Sequence, residues 1–308
     1  MQFPAETNLQ GAFVRQAYTI RDRITADGSS GFRAEPGRYH LYVSLACPWA
    51  HRAIIVRRLL GLEPVISMSV VDPIRDERGW AFREGPDHGR DPICGFQFLS
   101  EAYLRTDPTF TGRYTVPCIW DRVTSRLVTN NYPDITIDFE TQFTAYHRPD
   151  APDLYPQALR ATIDEINAVV YEDVNNGVYK AGFAASQPAY EAAVVPLFRR
   201  LDWLDERLAG QRYLAGDQVT EADIRLFTTL VRFDAVYFGH FKCNLRRIVD
   251  YQNLWGYARD LFQRPGFGET VNFDHIKRHY YMTHEQLNPT RIVPMGPLVD
   301  WHAPHGRS

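Results

Sequence analysis

The four cysteines, at positions 47, 94, 118 and 243, carry the side chains best suited to covalent chemistry. None forms a CxxC pair and none has zinc-ligand spacing, which predicts reduced thiols with one of them a candidate nucleophile. Cys47 stands in "LYVSLACPWAHR", residues 41–52. Leu41, Val43 and Leu45 alternate with Tyr42 and Ser44, the pattern of a short strand. Pro48 suits the first helical position, where its missing N–H costs nothing, and Gly61 suits the end of a helix over 49–60. Cys47 therefore falls at or beside a helix N-cap. There the unpaired N–H groups and the positive end of the helix dipole favour a thiolate, and His51 and Arg52 follow one turn on. Thiol pKa values at such places fall from about 8.5 to between roughly 3.5 and 7.5. The competing reading is a small buried hydrophobe, the usual role of a free cysteine.

The elements that must position this thiol are legible in coarse form. A second strand is expected over 64–71, then a long irregular stretch over 72–97 that holds Gly79-Trp80, and a short helix near 98–105. "VPCIWD" and "RLVT" read as two strands joined by the polar turn "DRVTS", with a helix possible after 130. A crossover followed by a hairpin is the order of a thioredoxin-like domain. From about 155 only helical periodicity is present, including the capping box "VTEAD", in which Thr220 and Asp223 serve each other's backbone. The expected organisation is an N-terminal extension over 1–38, a thioredoxin-like thiol-binding domain over 39–145, a Pro-rich linker over 146–156, and an all-helical substrate domain over 157–308.

At 308 residues the chain is long enough for two domains. The net charge of -3 gives no reason to expect nucleic acid or an anionic membrane as partner. There is no bilayer-length apolar run and no signal-peptide pattern, so a cytoplasmic protein is expected. His275, His279 and His284 have helical spacing in part, but no HExxH-type pattern is completed, and no metal is expected.

In a thioredoxin-like frame, CPWA in place of CPxC leaves Cys47 without an internal resolving thiol. Ala50 cannot close a disulfide, so an external small-molecule thiol is expected as cosubstrate, with no bound cofactor. Val116-Pro117 heads the third strand, where this fold places a cis-proline beside its reactive cysteine, and Cys118 just after it reads as core.

The sequence also resembles a known family. A thioredoxin-like half followed by an all-helical half is similar to a cytosolic glutathione transferase. "RYHLYVSLACPWAHR", the isolated Gly79-Trp80, "YFGHFKCN" and "HIKRHYYMTHEQLNPTRIVPMGP" together resemble the Xi class, the glutathionyl-hydroquinone reductases. The likeness extends over nearly the whole chain. It implies that Cys47 attacks the sulfur of a glutathionyl-hydroquinone, and that a second glutathione resolves the mixed disulfide. By position in the matching motifs, Tyr179 resembles the general acid. Tyr237 and Tyr280 resemble hydroxyls that approach the thiolate, with Tyr281 the confounder for Tyr280. Trp80 resembles a lid, and Tyr114, Thr115, Val116 and Pro117 would bind the peptide part of the thiol. A homodimer is implied as well. His51 is expected on the helix surface or the substrate side.

One place departs from the family. Where its pattern is "NNES", this chain reads "NNYPD", with Tyr132 and Pro133 in place of glutamate and serine. Neither offers a carboxylate for an α-ammonium group, and Asp134 replaces it only if the helix shifts. Tyr132 and Pro133 offer a ring and an apolar edge instead, so Tyr132, Pro133 and Asp134 are expected on the thiol-binding side, and the natural thiol is expected to be glutathione or a less charged substitute such as mycothiol. Two rival readings remain: an Omega-like dethiolase of mixed disulfides, and a non-catalytic hydrophobic-ligand-binding homologue.

Overall fold

The computed structural model describes residues 6–307 of the chain. They divide into two compact units, one formed by Gln16–Pro152 and the other by residues 6–15 together with 153–307.

The first unit is an α/β layer structure. Its elements run β1 (Tyr39–Val43), α1 (Pro48–Leu59), β2 (Ser67–Val70), α2 (Leu99–Thr106), β3 (Cys118–Asp121), β4 (Arg126–Thr129) and α3 (Tyr132–Gln142). The sheet has the order β2-β1-β3-β4, with β1 parallel to β2 and antiparallel to β3. This is the thioredoxin-like order expected from the sequence, with the second strand shorter than its apolar run. Because β1 is central, all five of its residues are buried. His40 in β1 spans two hydroxyls of β2, Ser67 at 2.7 Å and Ser69 at 2.8 Å. Burial drives its pKa down to about 4, so it is a neutral ring. The start of β1 is also fastened by the bidentate pair of Arg38 with Asp121, at 2.8 and 2.9 Å.

The regular elements of the second unit are helical among the described residues. They are α4 (Arg160–Val170), α5 (Gly177–Gly182), α6 (Gln187–Ala209), α7 (Glu221–Arg232), α8 (Gln252–Gln263) and α9 (Phe273–Thr283). Two π-helical turns interrupt them, Tyr171–Asn175 after α4 and Phe233–Tyr237 after α7. The capping box forms as the sequence predicts: Asp223 accepts from the Thr220 N–H at 2.8 Å. The same buried carboxylate also takes the Leu214 N–H and the Tyr257 hydroxyl. Its work is structural.

Residues 10–13 are tied to the junction of α5 and α6. The Ala185 N–H donates to the Gly11 carbonyl and the Ser186 hydroxyl to the Gln10 carbonyl, each at 2.8 Å. Gly11 has φ +80, and a Cβ there would lie 3.0 Å from the Ser186 hydroxyl. Both the backbone angle and the close approach call for glycine. Among the described residues, no helix is long and apolar enough to cross a membrane.

Candidate active site

Cys47 is the N-cap residue of α1, with Pro48 as the first helical residue, where the strand and helix signals place it. Its backbone is extended (φ -77, ψ 120), and its side chain makes no capping hydrogen bond. The thiol instead donates to the Val116 carbonyl at 3.4 Å. The sulfur thus stands at the positive end of the α1 helix dipole. Residue 116 leads into a cis Val116-Pro117 bond, as expected. Cys47 keeps 9% of its surface exposed, against none for Cys118 and Cys243. Burial pushes the thiols of Cys118 and Cys243 above the ordinary range, and the half-buried Cys94 is raised as well. Those three are poor nucleophiles by that measure.

The approach to Pro117 is held from behind by Tyr103, whose hydroxyl donates to the Thr115 carbonyl at 2.7 Å. Thr115 Oγ1 also accepts from the Asn130 amide at 3.2 Å. Tyr114 packs its ring on Phe110 and Tyr103. Trp80 is buried, and the Arg75 guanidinium lies 4.9 Å from its ring centre. His51 is also buried, so the surface position expected for it is wrong: α1 is covered along most of its circumference, not on one face.

The departure at α3 takes a definite shape. Asn131 is the N-cap, and Tyr132 and Pro133 are the first two helical residues. Tyr132 is 3% exposed. Its ring stacks on Trp49 of α1 at 4.6 Å, meets Tyr18 edge-on at 5.4 Å, and has the Arg52 guanidinium 5.2 Å away. Here the ring acts as a packing wedge between α1 and α3. Asp134 is held by the Asn131 amide and by Arg23 at 3.4 Å, while Arg23 also grips the buried Asp138. The helix has not shifted to free that carboxylate.

In the second unit, the three tyrosines singled out by the motifs come together. The Tyr280 hydroxyl, on α9, lies 2.5 Å from that of Tyr179 and 3.0 Å from that of Tyr237. A tyrosine hydroxyl has one proton to give and two lone pairs, so Tyr280 can serve both neighbours at once. Burial, reinforced by Tyr179 and Tyr237, pushes the Tyr280 pKa well above the ordinary tyrosine range. It is the fixed, protonated centre of the chain. Tyr281 turns the other way and donates to the Ala235 carbonyl at 3.4 Å, which separates it from Tyr280.

The two π-helical turns explain how α4–α5 and α7 deliver two of these rings. Tyr237 closes one turn, and Tyr179 follows the other by one helical turn. The wider π turn rotates the residues after it, a frequent device at functional sites. Behind Tyr280, His240 and His284 share a hydrogen bond of 3.1 Å. Neither the π turns nor this imidazole pair was anticipated from the sequence.

Comparison with known proteins bears on this arrangement directly. Residues 187–260 match the family model described as glutathione S-transferase, C-terminal domain. The chain is 52% identical to the glutathionyl-hydroquinone reductase YqjG of Escherichia coli over 304 residues, covering 96% of this chain and 92% of that protein. The chain belongs to the Xi-class glutathione transferases, the glutathionyl-hydroquinone reductases. A second member, PcpF of Sphingobium chlorophenolicum, is 50% identical, with 93% of this chain and 90% of that one covered. The glutathione-bound structure of YqjG superposes with a TM-score of 0.91 at 52% identity, covering 94% of this chain and 96% of that one. The Xi enzyme of Phanerochaete chrysosporium gives 0.92 at 50% identity, with 95% of each chain covered. The four-stranded sheet with its helices and the helical second unit are the glutathione transferase fold.

Proposed function

We propose that the protein is a thiol-dependent reductase that releases free hydroquinones from their thiol adducts, with Cys47 as nucleophile. The observation that carries the reading is Cys47 at the opening of α1 beside the cis Val116-Pro117 bond, with Ala50 where a resolving thiol would stand. Membership in the family of YqjG and PcpF supports it.

The thiolate sulfur bonds to the adduct sulfur, and the carbon–sulfur bond breaks with its electron pair left on the ring carbon. That carbon takes a proton from Tyr179, giving the hydroquinone, a Cys47 mixed disulfide and a tyrosinate. An incoming thiol returns a proton to Tyr179, and its thiolate displaces Cys47 to leave a symmetrical disulfide. The ring carbon is reduced and two thiol sulfurs are oxidised, so the step balances. Tyr280 holds Tyr179 by a hydrogen bond and is itself held by Tyr237. Trp80 and the stretch from Tyr114 to Pro117 belong to the substrate and thiol side of this reading. The cytoplasmic homodimer implied by the family belongs to it too, and light scattering tests the dimer.

Glutathione is the first thiol to test, because a related structure holds it. A second reading, mycothiol, is favoured by α3: Tyr132 is used for packing, Pro133 has no hydroxyl, and Asp134 is already engaged. Glutathione's charged γ-glutamyl end loses its acidic partner there, whereas a pseudodisaccharide thiol needs none. The experiment is turnover of menadiol carrying each thiol, with the matching thiol as reductant. Tyr179→Phe should lower kcat by roughly 10²-fold or more on either adduct, the usual weight of a general acid. Turnover with mycothiol alone supports the second reading, and tight, saturable glutathione turnover rejects it. Turnover of neither rejects the reductase.

A further inference from the structure

The N-terminal segment brings a cation to the general acid. Arg15 is half-buried, and its guanidinium carbon lies 4.9 Å from the centre of the Tyr179 ring and 5.2 Å from that of Phe13. Its Nε donates to the Asn176 side-chain carbonyl at 2.9 Å, and Asn176 is the residue that opens α5, three positions before Tyr179. Phe13 in turn packs on Phe183 at 5.6 Å, one turn beyond Tyr179. The segment is anchored at residues 10 and 11 by the hydrogen bonds to Ala185 and Ser186. Arg15 is therefore fixed from both sides over the ring that must lose a proton.

We infer that Arg15 is a positioning residue for the reaction, holding the Tyr179 ring through Asn176 and stabilising the tyrosinate left after proton transfer. The inference rests on Tyr179 being the general acid, as read above. A cation within about 6 Å of an aromatic face is attracted to it, and the attraction grows when the ring carries negative charge. The Tyr280 hydroxyl on α9 bonds that of Tyr179, and the rings of Tyr237, on the π turn after α7, Phe183 and Phe241 pack on it, none of them a cation. Arg232 at the end of α7 acts on Tyr280, and Lys180, next to Tyr179 on α5, is paired with Glu172. Of these, Arg15 is the cation whose guanidinium lies against the Tyr179 ring.

The test is the pH profile of single-turnover reduction, comparing Arg15→Gln, Arg15→Lys and Asn176→Ala with the unaltered chain. A general acid must be protonated, so activity falls on the alkaline side at its pKa. Removing the cation makes Tyr179 a weaker acid. Arg15→Gln should lower the neutral-pH rate about tenfold and move the alkaline limb upward by about one unit. Arg15→Lys, which keeps the charge, should hold the limb near its original place, and Asn176→Ala should shift it less than Arg15→Gln does. In a Tyr179→Phe background, Arg15→Gln should change the rate little, because the anion it serves is gone. A merely structural Arg15 would lower the rate equally at all pH values and in both backgrounds, which would overturn the inference. If Tyr179→Phe itself leaves the rate intact, the reading of the general acid fails first. If Tyr179→Phe is slow but Arg15→Gln is not, only the role of Arg15 fails.

Discussion

Helices α1 and α3 open in parallel ways and have been put to different uses. Each follows a strand, each has proline among its first two residues, and neither N-cap side chain accepts a backbone N–H of its own first turn. At α1 the cap is a thiol with 9% of its surface exposed, aimed at a carbonyl beside a cis-proline. At α3 the first residue is a tyrosine pressed onto Trp49 of α1, and the nearest carboxylate is already held by Arg23 and Asn131. The α1 opening presents a thiol that keeps some exposure, whereas the α3 opening is packed as core. A helix N-terminus is a general anion-binding device, so its use is set by the few residues that crown it.

The comparison is broken most completely at α1. Cys47→Ser should lower turnover by on the order of 10³-fold or more, while Cys118→Ala should leave turnover within about twofold, since its buried thiol is a core group. Equal losses in the two variants would remove the distinction between reactive and packing thiols.

A smaller effect concerns the strand that carries α1. His40 is neutral when folded, with a pKa near 4 against an ordinary 6.5. Its contribution to stability is complete above about pH 6.5 and is lost as the pH falls towards 4, because the unfolded chain takes up the proton first. The loss amounts to roughly 3 kcal/mol over that window. Denaturant melts at pH 7 and pH 4.5 should show that fall, and a His40→Asn chain should show a shallower one.

At α3, converting Tyr132→Glu together with Pro133→Ser restores the family pattern. It should lower KM for glutathione about tenfold, the weight of one charge-assisted hydrogen bond. The same double change removes the wedge on Trp49, so melting temperature should drop as glutathione binding improves. A double variant with unchanged KM would show that α3 does not address the thiol.

The strand-to-helix passage at Cys47 was legible because alternation in Leu41–Leu45 and the proline at 48 are local signals. The Thr220–Asp223 box and the all-helical second unit were legible for the same reason. The tyrosine cluster was named from motifs, yet its geometry depends on contacts made far along the chain by Tyr179, Tyr237 and Tyr280. Tyr132 looked like an available ring because its partners, Tyr18 and Trp49, are distant in sequence. The burial of His51, against the helix-surface alternative, was not legible because the elements that cover α1 are distant in sequence. Arg15 gave no signal at all, since a lone arginine in an aperiodic segment has no spacing to read.

The most direct test of the account is the mass of the intact protein after mixing, in equal amounts and without free thiol, with a menadiol–thiol adduct. The account predicts release of menadiol together with one thiol added to the chain, at Cys47, and neither event in Cys47→Ser. Menadiol released while the chain keeps its original mass would contradict a mixed disulfide and, with it, the role assigned to Cys47.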